Sequence, residues 1–97
     1  FYNDVMKLAG DYLSVNEMAS QLNMSYPAFI RHFRKVFKDT PQEWLSKNRM
    51  KRLRDLLCNT AHTEQEIADE LCFSTVQNMR VFCKSRCGQT PAQLREQ

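Results

Sequence analysis

Cys83 and Cys87 stand four residues apart, which puts both thiols on one face of a helix and makes them a feasible half-site for a metal, with His62 and Cys72 as the partners to complete it. The spacing is not that of a zinc finger, and no Cys-x-x-Cys pair occurs. His32 and His62 lack a serine, cysteine or carboxylate at a spacing that nucleophilic or acid–base catalysis uses. Two glycines, Gly10 and Gly88, are too few for a glycine-rich phosphate loop. These residues predict no catalytic group, no metal and no cofactor, so the chemistry that remains is charge. Arg31, Arg34, Lys35, Lys38, Lys47, Arg49, Lys51, Arg52 and Arg54 are nine bases opposed between 31 and 54 only by Asp39 and Glu43, a local net charge of +7 in a chain of net charge +3. Acids gather instead at Glu64, Glu66, Asp69 and Glu70. A chain charged in this lopsided way is expected to meet a polyanion with one face.

The elements that must present those bases belong to a small folded chain. Its 97 residues are one domain's length, and 42% hydrophobic with 26% charged residues is an ordinary globular composition. No apolar run approaches the ~20 residues of a membrane span and no signal-like segment opens the chain. The expectation is a cytoplasmic protein with no membrane contact and with its four cysteines as packed thiols, Cys58 included. A start at Phe1, without Met, suggests a domain of a longer protein whose regulatory part lies before it.

Helix-start signals are regular. Ser14-Val15-Asn16-Glu17, Thr40-Pro41-Gln42-Glu43 and Thr63-Glu64-Gln65-Glu66 each match the capping box, in which the hydroxyl accepts from the third backbone N–H and the Glu reaches back to the cap. Ser25, Ser74 or Thr75, and Thr90 before Pro91 supply further N-caps, and Gly88 suits a helix stop. With an opening helix near 3–12 (Val5, Met6, Leu8, Ala9 and Tyr12 on one period) the prediction is an all-α chain of about seven helices, since nothing alternates as a strand does.

The halves repeat. Met18-Ala19, Leu22, Met24 and Ser25 recur 49 positions later as Ile67-Ala68, Leu71, Phe73 and Ser74. Phe29, Phe33, Phe37, Thr40-Pro41 and Trp44 recur 50 later as Met79, Cys83, Cys87, Thr90-Pro91 and Leu94. The repeated unit is a short helix, a turn of three or four residues and a second helix, the helix-turn-helix pattern. The predicted division is a subdomain over 1–40, a linker helix over 41–57 and a second subdomain over 58–97. Phe29, Phe33 and Phe37 mark the buried side of one second helix, and Met79, Cys83 and Cys87 that of the other, so Cys83 and Cys87 are read as core thiols rather than ligands. The outward faces then carry Pro27, Ile30, Arg31, Arg34 and Lys35, and Val76, Gln77, Arg80, Val81 and Lys84. Ile30 and Val81 are poor solvent residues but suit thymine methyl groups.

With these residues in place the chain resembles the DNA-binding domain of the AraC/XylS family of bacterial transcription regulators from about Tyr12 to Arg95. The resemblance is carried by L-S-x-x-x-M-A-x-x-L-x-M-S at 13–25, F-I-R-H-F at 29–33, F-K-D-T-P at 37–41, R-M-x-x-L-x-x-L-L at 49–57, I-A-x-x-L-C-F-S at 67–74 and C-G-Q-T-P at 87–91. It implies two helix-turn-helix subdomains joined by a long central helix, with both recognition helices in successive major grooves. A joining helix of about 17 residues is on the order of 25 Å long, which makes a separation near the ~34 Å of one DNA turn plausible. The implied base readers are Pro27, Ile30, Arg31, Val76, Gln77, Arg80 and Val81, with Arg31 and Arg80 for guanine, Gln77 for adenine, and Ile30 and Val81 for methyl groups. Phosphates fall to Arg34, Lys35, Lys38, Lys84 and Arg86, with hydroxyls and backbone N–H groups at the helix starts of Ser25 and Thr75.

Partners implied are double-stranded DNA, RNA polymerase and an N-terminal sensor or dimerisation domain outside this sequence, and activation is the family's habit. The chain departs from the family where glycine usually occupies each turn: it has Asn23 and Cys72. A Cys costs about 1–2 kcal/mol in the left-handed region, so the second turn is expected to distort. Cys83 and Cys87 replace the phenylalanines favoured in the second recognition helix, and an Arg common at the Val81 position is missing, so the second unit is expected to pack less tightly and read fewer bases. Rival readings from the residues alone are a helical module whose basic stripe meets an acidic protein partner, and a thiol redox sensor built on exposed, low-pKa cysteines.

Overall fold

The computed structural model describes residues 1–96, and its regular structure is helical: α1 (Tyr2–Ala9), α2 (Val15–Gln21), α3 (Tyr26–Phe37), α4 (Pro41–Asn59), α5 (Glu64–Glu70), α6 (Val76–Cys87) and α7 (Pro91–Arg95), with no strand among the described residues. The chain divides into two compact units, Phe1–Lys47 and Asn48–Gln97, and α4 runs from one into the other.

Local chemistry accounts for where the helices begin. The capping boxes at α2 and α5 close reciprocally: Ser14 Oγ accepts from Glu17 N–H at 3.1 Å and Thr63 Oγ1 from Glu66 N–H at 3.1 Å, while each Glu takes the cap's own N–H. Thr90 forms a further box with Gln93 at α7. At α4 the Thr40 hydroxyl accepts from Glu43 N–H at 3.3 Å, and the Thr40 N–H donates to the neighbouring Asp39 carboxylate at 2.8 Å. Thr75, rather than Ser74, caps α6.

Each helix-turn-helix turn is a Schellman motif. Met24 N–H donates to Ala19 O and Asn23 N–H to Ser20 O; Phe73 N–H donates to Ala68 O and Cys72 N–H to Asp69 O. The motif demands a left-handed residue, and Asn23 (φ 56°) and Cys72 (φ 60°) both supply it. The expected distortion of the second turn is therefore absent: Cys72 is exposed and keeps the left-handed backbone, so its β-carbon strain is held by the two closing hydrogen bonds. α3 and α6 also end alike, on left-handed Lys38 (φ 63°) and Gly88 (φ 78°).

Two other expectations give way. α1 stops at Ala9 rather than near 12, because Asp11 and Tyr12 N–H groups turn back on Leu8 and Ala9 carbonyls and Tyr12 goes left-handed at φ 53°. Cys58 is exposed rather than packed in the core: the Leu56-Leu57 pair before it fills the core, and the Cys58 thiol donates to Leu94 O at 3.7 Å.

The first unit's core is aromatic. Val5, Met18, Ala19, Phe29 and Phe33 are buried together, with Phe1, Phe37 and Trp44 packed against them. Phe33 and Phe37 stack at 4.3 Å, and Trp44 meets Phe33 edge-on at 5.7 Å. In the second unit Ile67, Ala68, Leu71, Met79, Cys83 and Leu94 are buried, alongside Leu53, Leu56 and Leu57 of α4. The aromatic residues missing from its α6 face are partly restored next door. Phe82 packs on Phe73 at 5.3 Å, and the Arg49 guanidinium covers Phe73 at 3.7 Å while donating Nη2–H to Leu71 O at 2.6 Å. Arg95 likewise covers the end of α4, donating Nε–H to Leu57 O at 3.0 Å.

Candidate nucleic-acid interface

α3 and α6 are the second helices of the two motifs, and their buried sides set what faces outward. Phe29 and Phe33 are buried and Phe37 is half-buried; Met79 and Cys83 are buried and Cys87 is half-buried rather than a full core thiol. On the opposite sides Pro27, Arg31, Arg34 and Lys35 of α3 and Gln77, Arg80, Val81, Lys84 and Arg86 of α6 are exposed, with Ile30 and Val76 half-buried.

Pro27, Ile30, Arg31 and Arg34 come together with Tyr26 in an open, apolar-floored groove along α3. Tyr26 is a member that the helical period did not single out. Its hydroxyl accepts from Gln42 Nε2 at 2.8 Å, which fixes the ring as a wall of the groove. On the neighbouring side Arg31 and Lys35 line a second, more polar cleft with Met24, Ala28 and His32. Lys38 stands apart at the C-terminal end of α3, about 20 Å along the axis from Ser25.

Helix starts differ between the motifs. Ser25 Oγ accepts from Ala28 N–H at 3.3 Å and Thr75 Oγ1 from Asn78 N–H at 3.0 Å, leaving each hydroxyl proton to donate. Pro27 has no N–H, so the first turn of α3 offers only the Tyr26 amide outside the cap, whereas α6 offers those of Val76 and Gln77. Asn78 also donates from its side chain to Ser74 Oγ.

Charges are distributed unequally. Arg31, Arg34, Lys35 and Lys38 form no ion pair among the described residues. Other members of the basic block act within the protein: Lys47 pairs with Asp39 at 3.0 Å, Arg52 with Glu70 at 2.9 Å, and Arg49 with the Leu71 carbonyl. Hydrogen bonding from Lys47, with the Thr40 N–H, holds the Asp39 carboxyl below its ordinary value. On α6, Arg80 Nε donates to Glu64 Oε1 at 2.9 Å and Lys84 Nζ to Gly88 O at 3.0 Å.

Cys83 is kept as a thiol. Burial and the neighbouring Cys87, 4.0 Å away, push Cys83 up to about 12. All four cysteines are free, and no group of three or more metal-binding side chains occurs among the described residues.

A family profile described as a helix-turn-helix domain, of the AraC type, matches residues 18–97. The chain belongs to the AraC-type helix-turn-helix family. This AraC-type domain is similar to the DNA-binding domain of the global transcriptional factor AdpA in complex with a target DNA, at 24% identity and a TM-score of 0.83 over 97% of this chain and 88% of that one. It is also similar to the C-terminal domain of the response regulator yesN from Fusobacterium nucleatum, at 23% identity and a TM-score of 0.82 over 97% and 91% of the two chains. The C-terminal domain of the response regulator AraT from Geobacillus stearothermophilus is 25% identical, with a TM-score of 0.80 over 91% and 73%. No curated protein sequence matches. The seven helices among the described residues, with no strand, are thus those that the resemblance implies.

Proposed function

We propose that this AraC-type domain contacts the major groove of duplex DNA with α3 and α6. Sequence-specific DNA binding by a transcription regulator is the function that its family carries, and the proposal adds which side chains do it. The observation that supports it best is α3: it carries four cations without an ion pair among the described residues, and two of them, Arg31 and Arg34, line an apolar groove with Tyr26, Pro27 and Ile30. Cations grip phosphates without regard to sequence, and the apolar floor meets base edges and thymine methyl groups.

In this reading Pro27, Ile30, Arg31, Val76, Gln77, Arg80 and Val81 read bases. Ser25, Arg34, Lys35, Lys38, Thr75, Lys84 and Arg86 hold phosphates. The domain comprises a first motif over 1–40, a joining helix over 41–57 and a second motif over 58–97. It acts in the cytoplasm as the DNA-binding part of a regulator, an activator that contacts RNA polymerase and answers to an N-terminal sensor or dimerisation domain; it has no enzymatic activity. No helix among the described residues is long and apolar enough to cross a membrane.

The test is selection of preferred sites from random duplex DNA at fixed, near-physiological salt. Two short elements about 10 bp apart are expected. A single element leaves the second motif as a backbone grip, and no enrichment returns the basic face to an acidic protein partner.

A further inference from the structure

Glu64 opens α5, and its Oε1 accepts from Arg80 Nε at 2.9 Å across to α6. The Glu64 side chain is 28% exposed and that of Arg80 50%. Only the Nε–H is used, and neither Nη group of Arg80 has a partner among the described residues. A guanidinium is planar and rigid, so a bond at Nε restrains the whole fork while its terminal donors stay open. The first motif lacks this device. At the offsets of the repeat, 49 before the turn and 50 after it, the place of Glu64 is taken by Val15 and that of Arg80 by Ile30, so the first motif has an apolar residue at both.

We propose that Glu64 is a specificity-determining positioning residue, whose carboxylate orders Arg80 before DNA arrives so that the open Nη fork meets a base edge at one angle. The inference rests on Arg80 reading a base. A free arginine surrenders rotamer freedom at every site it binds, right or wrong, and adapts to mismatched edges; a held one does neither. A carboxylate beside the DNA also repels phosphate, so Glu64 lowers affinity for unrelated DNA while it sharpens discrimination.

These opposite signs make the test decisive. Site preferences and competition binding are measured for the wild type, Glu64→Ala, Glu64→Gln, Arg80→Ala and the Glu64→Ala/Arg80→Ala double variant. Glu64→Ala is expected to lose roughly three- to tenfold of the discrimination at the single base position that Arg80→Ala alters, a part of what one bidentate contact supplies. Its affinity for unrelated DNA rises. Glu64→Gln keeps an acceptor in place and retains most of the discrimination, and in the Arg80→Ala background Glu64→Ala changes no base preference. A lowered thermal midpoint with unchanged preferences makes the pair a structural tie only and overturns the inference. Sharper discrimination in Glu64→Ala overturns it too, since Glu64 then holds Arg80 off the DNA. If Arg80→Ala itself alters no base preference, the reading of Arg80 falls and this inference with it.

Discussion

α3 and α6 occupy the same place in two copies of one motif, yet they manage charge in opposite ways. α3 leaves Arg31, Arg34, Lys35 and Lys38 without ion pairs among the described residues, whereas α6 ties Arg80 to Glu64 and Lys84 to the Gly88 carbonyl. Open cations raise affinity for any duplex and respond steeply to salt. Held ones contribute less to encounter and more to the geometry of a single contact. The two copies of the motif thus differ in how far the protein itself ties down their cations.

Core packing should separate the copies by the largest margin. Phe33→Ala removes a fully buried ring that stacks on Phe37 and should destabilise by about 3–5 kcal/mol, while Cys83→Ala at the equivalent position should cost roughly 1 kcal/mol, both read from denaturant midpoints. Equal losses would mean that the two cores are not the unequal partners described.

Next come the arginines. Arg31→Ala and Arg80→Ala should each cost about 1–3 kcal/mol at the preferred site and relax selectivity at one position. Unchanged preferences in both would show that the outward faces are wrongly assigned. Lys35→Ala should weaken binding to all sequences alike and reduce the magnitude of the log K against log salt slope by about 0.9. The same change at Lys84, already bonded to Gly88 O, should move the slope less.

Smaller effects belong to the turns. Cys72→Gly relieves a left-handed β-carbon and should stabilise by ~0.5–1 kcal/mol, after the entropy that glycine adds to the unfolded chain; Asn23→Gly should gain less, because Asn tolerates that region. The smallest expected effect is on acid stability. Hydrogen bonds from Lys47 and the Thr40 N–H lower Asp39, and those from the Thr63 N–H and hydroxyl lower Glu66. Depressed carboxylates contribute stability above their ordinary values of 3.8 and 4.5 and lose it as pH falls through the folded values. A helical signal that declines from below about pH 4.5, and less so in Asp39→Asn and Glu66→Gln, is the expected titration.

What the amino-acid order discloses follows the range of each interaction. Ser14, Thr63 and Thr90 cap helices within three residues of themselves, so those starts are readable directly, and the repeat locates the buried faces of α3 and α6. The end of α1 is less legible, because Tyr12 fits the helical period yet the chain has already turned at Gly10. Cys58 is equally hard to read, since the two leucines before it suggest core while the next residue of the helix is exposed. The Phe73–Phe82–Arg49 stack and the Glu64–Arg80 pair join residues far apart in sequence, and no spacing rule announces them. Tyr26 joined the groove for the same reason: its anchor, Gln42, lies on another helix.

All four cysteines lie in the second unit and none in the first, and their exposure is graded: Cys58 and Cys72 open, Cys87 half-covered, Cys83 sealed. A thiol-alkylating reagent therefore meets a built-in clock. The first two sites mark at once, and the mass increment at Cys83 accumulates only as fast as the second unit opens, so the domain reports the local unfolding of one half while the other half stays silent.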